Sequence, residues 1–196
     1  MLVCKPHKFL VILPARCGTT SVKLALKKRF PLLQEQGMNH GLLILSTQRD
    51  FFKVCLRRNP YTRVLSMWQH WHGRERSATF KHPLDRLAHR VVTIPQLTFP
   101  QFLQSSACRT LLDGVCPPIT KIATKVSIDL WVDQASLEDD INKLPAIGSE
   151  RLRLPHRHKS LFMQTPEKFY MPELADLVYG MYRDDFEAFG YPKELP

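Results

Sequence analysis

Hydrophobic and polar positions follow two rhythms along the chain. "FLVIL" (Phe9 to Leu13) is an unbroken apolar run, which predicts a buried strand. Beyond the turn "PARCGTTS" (Pro14 to Ser21), Val22, Ala25, Leu26 and Phe30 recur at helical spacing with a basic far face, and Pro31 stops the helix. "GLLILS" (Gly41 to Ser46) and "FFKVCLR" (Phe51 to Arg57) are two further short apolar runs. "NPYTRVLSMWQHW" predicts a helix with Asn59 as cap and Pro60 in the first turn, burying Tyr61, Val64, Leu65 and Trp68. From Gly73 to about Thr98 no period is sustained, which predicts a long surface excursion. "FPQFLQS" is a short helix, "KVSIDLWVD" a further strand and "SLEDDINKL" a helix capped by Ser136 with acids in its first turn. In the tail, Leu174, Leu177, Val178, Met181 and Tyr182 form one apolar face. This alternation predicts an α/β protein, with residues 1–196 as a single domain.

Composition narrows the class. With 196 residues, 44% of them hydrophobic, the chain is long enough for one proper core. No run approaches the roughly 18 apolar residues of a membrane span, and the apolar stretch near the N-terminus is too short for a signal peptide. The expectation is a soluble cytoplasmic protein without a membrane partner. Five cysteines (Cys4, Cys17, Cys55, Cys108, Cys116) with no CxxC pair indicate reduced thiols and no zinc module, and no metal site is expected. The net charge of +10 is unevenly spread: residues 1–80 hold 14 Lys and Arg against 3 Asp and Glu, and the remainder 14 against 15. Such a field gathers anionic ligands.

Which anion is a matter for two stretches. "PARCGTTS" joins a strand to a helix, where unpaired N–H groups point at an anion. A nucleoside-triphosphate loop needs GxxxxGK[ST], but only Gly18 is present and Thr19 stands in the lysine's place. A cysteine phosphatase would use Cys17 with an arginine six residues on, where Lys23 stands. What remains is Arg16 at the rim, Gly18 for close backbone approach, and Thr19, Thr20 and Ser21 at the helix start. In "RRNPYTRVLSMW", Arg58 precedes a helix and Ser66 follows on it, a cation and a hydroxyl suited to a second phosphate. Two anion sites call for a nucleotide with phosphates at two separate corners.

Here the chain resembles a known family. "LPARCGTTS" resembles the 5′-phosphosulfate loop of sulfotransferases, with Arg16 where a Lys or Arg stands two residues before the glycine. "LRRNPYTRVLSMW" is similar to their 3′-phosphate motif, with Arg58 and Ser66 in the binding positions. "IDLWVDQASLEDDINKL" and "YRDDFEAFGY" look like later segments of the carbohydrate (Golgi-type) branch, although Gln134 and Ala135 depart from it. The resemblance implies a P-loop-like sulfotransferase fold with a central parallel sheet flanked by helices. It implies a PAPS-dependent enzyme that moves the sulfuryl group of 3′-phosphoadenosine 5′-phosphosulfate (PAPS) to an acceptor hydroxyl and releases 3′-phosphoadenosine 5′-phosphate (PAP). The nucleotide would lie on Arg16, Cys17, Gly18, Thr19, Thr20, Ser21, Arg58 and Ser66, with Lys159 and Ser160 in "PHRHKS" closing over it and Arg157 beside them. His40, in an "HG" context before the 3′ motif, is the expected base, with Arg16 stabilising the leaving phosphate; His70 and His72 are candidates for the acceptor side. The branch and the basic charge favour a saccharide acceptor, no nucleic-acid partner is expected of such an enzyme, and the short chain without an anchor suggests a bacterial or viral source. Two rival readings are a P-loop-like nucleotide phosphotransferase and a non-enzymatic polyanion-binding module.

Overall fold

A computed structural model describes residues 1–36, 46–72, 97–123, 126–155 and 166–195. In chain order its elements are β1 (Leu2–Cys4), β2 (Phe9–Ile12), α1 (Thr19–Arg29), β3 (Gln34–Glu35), β4 (Phe52–Arg57), α2 (Pro60–His72), α3 (Phe99–Gln104), α4 (Ser106–Val115), α5 (Ile119–Ala123), β5 (Leu130–Asp133), α6 (Leu137–Ile141) and α7 (Pro172–Phe189), with three short 3₁₀ turns. The chain divides into two compact units, one from Met1–Arg58 with Ile119–Lys159 and the other from Asn59–Pro118 with Ser160–Pro196.

The first unit is a five-stranded mixed sheet in the order β3-β1-β2-β4-β5. Phe9, Leu10 and Val11 are wholly buried, as a central strand covered on both faces requires. β2, β4 and β5 run parallel, with Ile12 opposite Cys55 and Arg57 opposite Asp133, so their C-terminal ends share one edge. A central parallel sheet was expected; β2, β4 and β5 form one, but β1 and β3 extend it as antiparallel strands, so the sheet is mixed. The physical reason lies in "KPHK": four residues between Cys4 and Phe9 can make a hairpin turn but not the dozen-residue crossover that parallel strands need. α1 buries Val22, Ala25 and Leu26, and Phe30 beyond its end meets Phe9 edge-on with ring centroids 5.1 Å apart.

The second unit is helical in its described part. α2 buries Tyr61, Val64, Leu65, Trp68 and Trp71, and Tyr61 packs against Phe186 of α7 at 4.9 Å between rings. Arg63 and Asp185 are fully buried, 3.9 Å apart, and the Arg63 guanidinium also donates to the Pro117 carbonyl at 2.8 Å. The Tyr182 hydroxyl donates to the Cys116 carbonyl at 2.7 Å, and burial pushes this phenol far above its ordinary titration range. Along α7 the buried stripe is Leu174, Val178, Tyr182, Asp185 and Phe186, so Leu177 and Met181 of the expected face flank it half-exposed. Among the described residues no helix is long and apolar enough to cross a membrane. None of the five cysteines forms a disulfide, and all are buried.

Candidate functional site

The strand-to-helix loop leaves β2 at the edge where the parallel strands end, the usual place for ligands in an open α/β sheet. Two of its residues occupy the left-handed region: Arg16 at φ 67° and Gly18 at φ 79°. Left-handed residues in a turn are one way of gathering successive backbone N–H groups into an anion-binding hollow. Gly18 is the cap residue of α1 and offers no side chain to the first turn, which also carries no acid. The donors at this helix end are therefore not capped by a side chain at that position, and the dipole favours an anion there. Cys17 is wholly buried, its thiol 3.6 Å from the Ala15 carbonyl, so it serves the loop's shape.

Among the contacts that hold the loop are one from Arg58 and one from Leu137. Arg58, at the end of β4, donates from its guanidinium to the Arg16 carbonyl at 2.9 Å, tying the two arginine stretches together within the first unit. On the other side, a Cβ on Gly18 would lie 2.6 Å from Cδ2 of Leu137, the first residue of α6. The glycine expected to admit a ligand is thus also needed to admit this leucine.

The end of β5 is organised by carboxylates. Arg57 pairs with Asp133 at 3.2 Å, and Asp133 also accepts from the Ala135 amide. Asp140 takes the Asp133 amide at 3.0 Å, the Ser136 hydroxyl at 2.6 Å and the Lys143 ammonium at 2.6 Å. Burial works to raise the Asp140 pKa, but Lys143, Ser136 and the Asp133 amide together hold it below the ordinary value. Ser136 does stand at the head of α6, yet its hydroxyl donates to Asp140 and does not cap the helix; a nearby carboxylate is the stronger partner. Glu138 accepts from the Leu154 amide and pairs with Arg153, and those contacts lower its pKa.

The sequence-predicted residues therefore fall in three groups. Arg16, Cys17, Gly18, Thr19, Thr20, Ser21 and Arg58 belong to the first unit, with the Arg58 contact joining them. Ser66 is buried on α2 in the second unit, where His70 and His72 form the last turn and His72 stacks on Trp68 at 4.6 Å. His40, Arg157, Lys159 and Ser160 lie outside the described residues. Sequence reasoning missed Leu137 and Asp140: the alternation of apolar and acidic residues in "SLEDDI" marks an amphipathic turn, but nothing local says that Leu137 reaches a loop over a hundred residues earlier. Charge also needs revising, because Lys23 and Lys27 both pair with Glu35, holding its carboxyl down to about 2, and Arg29 pairs with Glu150. Part of the basic excess is thus internally neutralised. No protein-family model, curated protein or solved structure matches the chain.

Proposed function

We propose that the chain is a sulfotransferase that uses PAPS, with the sulfotransferase type of P-loop-like fold, acting on an acceptor hydroxyl of a saccharide. The observation that carries this reading is the bond from Arg58 to the Arg16 carbonyl. It brings the cation of the second motif to the loop of the first, as a ligand with both a 5′- and a 3′-phosphate requires. The start of α1, whose glycine cap supplies no side-chain bond and whose first turn holds Thr19, Thr20 and Ser21, suits the 5′-phosphate group; by residue type and motif, the Arg58 cation and the Ser66 hydroxyl are the proposed donors to the 3′-phosphate.

Arg16 to Ser21 and Arg58 would hold the nucleotide, which would supply an activated sulfuryl group for exchange from the 5′-phosphate oxygen to the acceptor oxygen, with the acceptor proton passing to a base. Arg16 would offset the negative charge growing on the phosphate oxygen, the kind of work that dominates transfer through loose transition states. His40 is the proposed base, since imidazole titrates near neutrality. The lysine that a triphosphate loop needs is missing, and Lys23 and Lys27 are engaged with Glu35, so neither phosphotransfer nor diffuse polyanion binding gains support.

A sulfate-transfer screen with labelled PAPS across saccharide, phenol, lipid and peptide acceptors tests the reading. Transfer to a saccharide, markedly slowed in Arg16→Ala, is the expected result. Labelled sulfate reaching no acceptor class, with ATP bound in preference to PAP, would overturn it in favour of phosphotransfer.

A further inference from the structure

Building on the reading of residues 14–21 as a phosphate loop, we infer that Leu137 and Asn142, at the two ends of α6, are positioning residues that couple this loop to segment 151–155. A backbone with left-handed residues at 16 and 18 persists only where its surroundings enforce it, and a non-glycine residue such as Arg16 makes that demand sharper. One enforcing contact is Leu137, whose Cδ2 occupies the space over Gly18.

The position of Leu137 is itself set from elsewhere. A helix of five residues has no stability of its own, so side-chain bonds decide where α6 lies. Asp140 fastens it to the end of β5 through the Asp133 amide. At the other end the Asn142 amide nitrogen donates to the Glu138 carbonyl at 2.6 Å and the Leu152 carbonyl at 2.9 Å, while its oxygen accepts from the Leu152 amide at 2.7 Å. Glu138 then takes the Leu154 amide at 3.0 Å, and Leu152 and Leu154 turn their side chains into the core. A shift of Leu137 thus moves the acceptors to which two amides of segment 151–155 are bound. Anything that settles the loop on Gly18 reaches residues 152 and 154 by this route, and anything that loosens Asn142 reaches the loop.

Hydrogen exchange at the Leu152 and Leu154 amides reads the coupling directly, because both donate to side chains of this helix and its C-terminal cap. The first arm needs no ligand. Gly18→Ala should push Leu137 aside and speed exchange at both amides by about tenfold, with the β2 amides unchanged, and adding Leu137→Ala should restore most of the protection. Should Gly18→Ala not fold, Leu137→Ala alone serves: it should speed exchange of the Val22 amide, which donates to the Gly18 carbonyl. Unchanged exchange in whichever variant folds, or no restoration in the double variant, overturns the inference. The second arm adds PAP. Bound PAP should slow the two amides in the unmodified protein; Asn142→Ala should abolish that slowing and weaken PAP binding about tenfold without lowering the melting temperature in proportion, and Asn142→Asp, which keeps only the acceptor, should fall between. PAP that binds but leaves both amides unchanged contradicts the coupling. Failure of PAP to bind at all contradicts the proposed function instead, and the ligand-free arm then decides the inference alone.

Discussion

The starts of α1 and α2 both follow a parallel strand and an arginine, yet they are built in opposite ways. At α2, Asn59 accepts from the Tyr61 amide at 2.9 Å, and Pro60 opens the helix with a residue that has no N–H to satisfy. That helix end is closed by its own side chain. At α1 the cap is a left-handed glycine, two residues after a left-handed arginine, and the cap residue itself supplies no side-chain bond to the turn. The lesson is that the start of α1 offers an anion only backbone donors, so that loop shape would decide affinity there, whereas Arg58 offers a side-chain cation, whose chemical identity would decide it.

The largest effect that would break this contrast is Gly18→Val. It places a branched side chain at φ 79°, on top of Leu137, and should cost about 3 kcal/mol or more in denaturant unfolding as well as abolishing nucleotide binding. A variant as stable as the parent would show that the loop is not enforced. Next comes Arg58→Ala. Because Arg58 also holds the Arg16 carbonyl, calorimetry should show PAP affinity falling roughly ten- to hundredfold and AMP affinity falling too, whereas Ser66→Ala should weaken PAP alone. If Arg58→Ala spares AMP, the tie to the loop carries no energy.

Smaller effects sharpen the comparison. Asn59→Ala should lower stability by about 1 kcal/mol through loss of the cap while leaving AMP affinity unchanged. Arg16→Gly and Arg16→Ala both remove the side chain, so both should lower turnover, but the glycine variant should be the more stable by about 1 kcal/mol because it relieves the left-handed backbone. A tie between them would mean that position 16 carries no strain. The least effect concerns acid. The Asp140 carboxyl titrates lower in the folded chain than in the unfolded one, so its contribution is fully present above the unfolded value of 3.8 and is lost as pH falls through the lower folded value. Asp140→Asn should flatten stability in that acid window; an unchanged acid limb in urea titrations would contradict the carboxylate's role.

What was legible in the sequence follows from how local the physics is. β2, α1, β4 and α2 were readable because continuous apolar runs, helical spacing and the Asn59–Pro60 start are properties of neighbouring residues. β1 was missed because three residues, "LVC", look like nothing until a hairpin turn pairs them with β2. α4 was missed although Ser105 caps it, since "SACRTLLDGV" mixes small and polar residues and is held by burial of Cys108 and Leu112. At the site, the loop and Arg58 were readable as motifs, but the bond between them joins residues 42 apart. Leu137 and Asn142 lay beyond reach for the same reason: their partners, Gly18 and Leu152, are set by the sheet and by a return of the chain. The cap expected of Ser136 failed because sequence marks a hydroxyl at a helix start but not the carboxylate that competes for it.

The central claim is that one ligand must satisfy both a shaped backbone loop and a side-chain cation. Calorimetric titration of the unmodified protein with PAP, AMP and ATP tests this most directly. Binding of PAP at least tenfold tighter than AMP, with ATP weaker than PAP, is the predicted result, since the 3′-phosphate adds a charge-assisted contact of about 1.5–3 kcal/mol. Equal affinities for PAP and AMP would contradict the account.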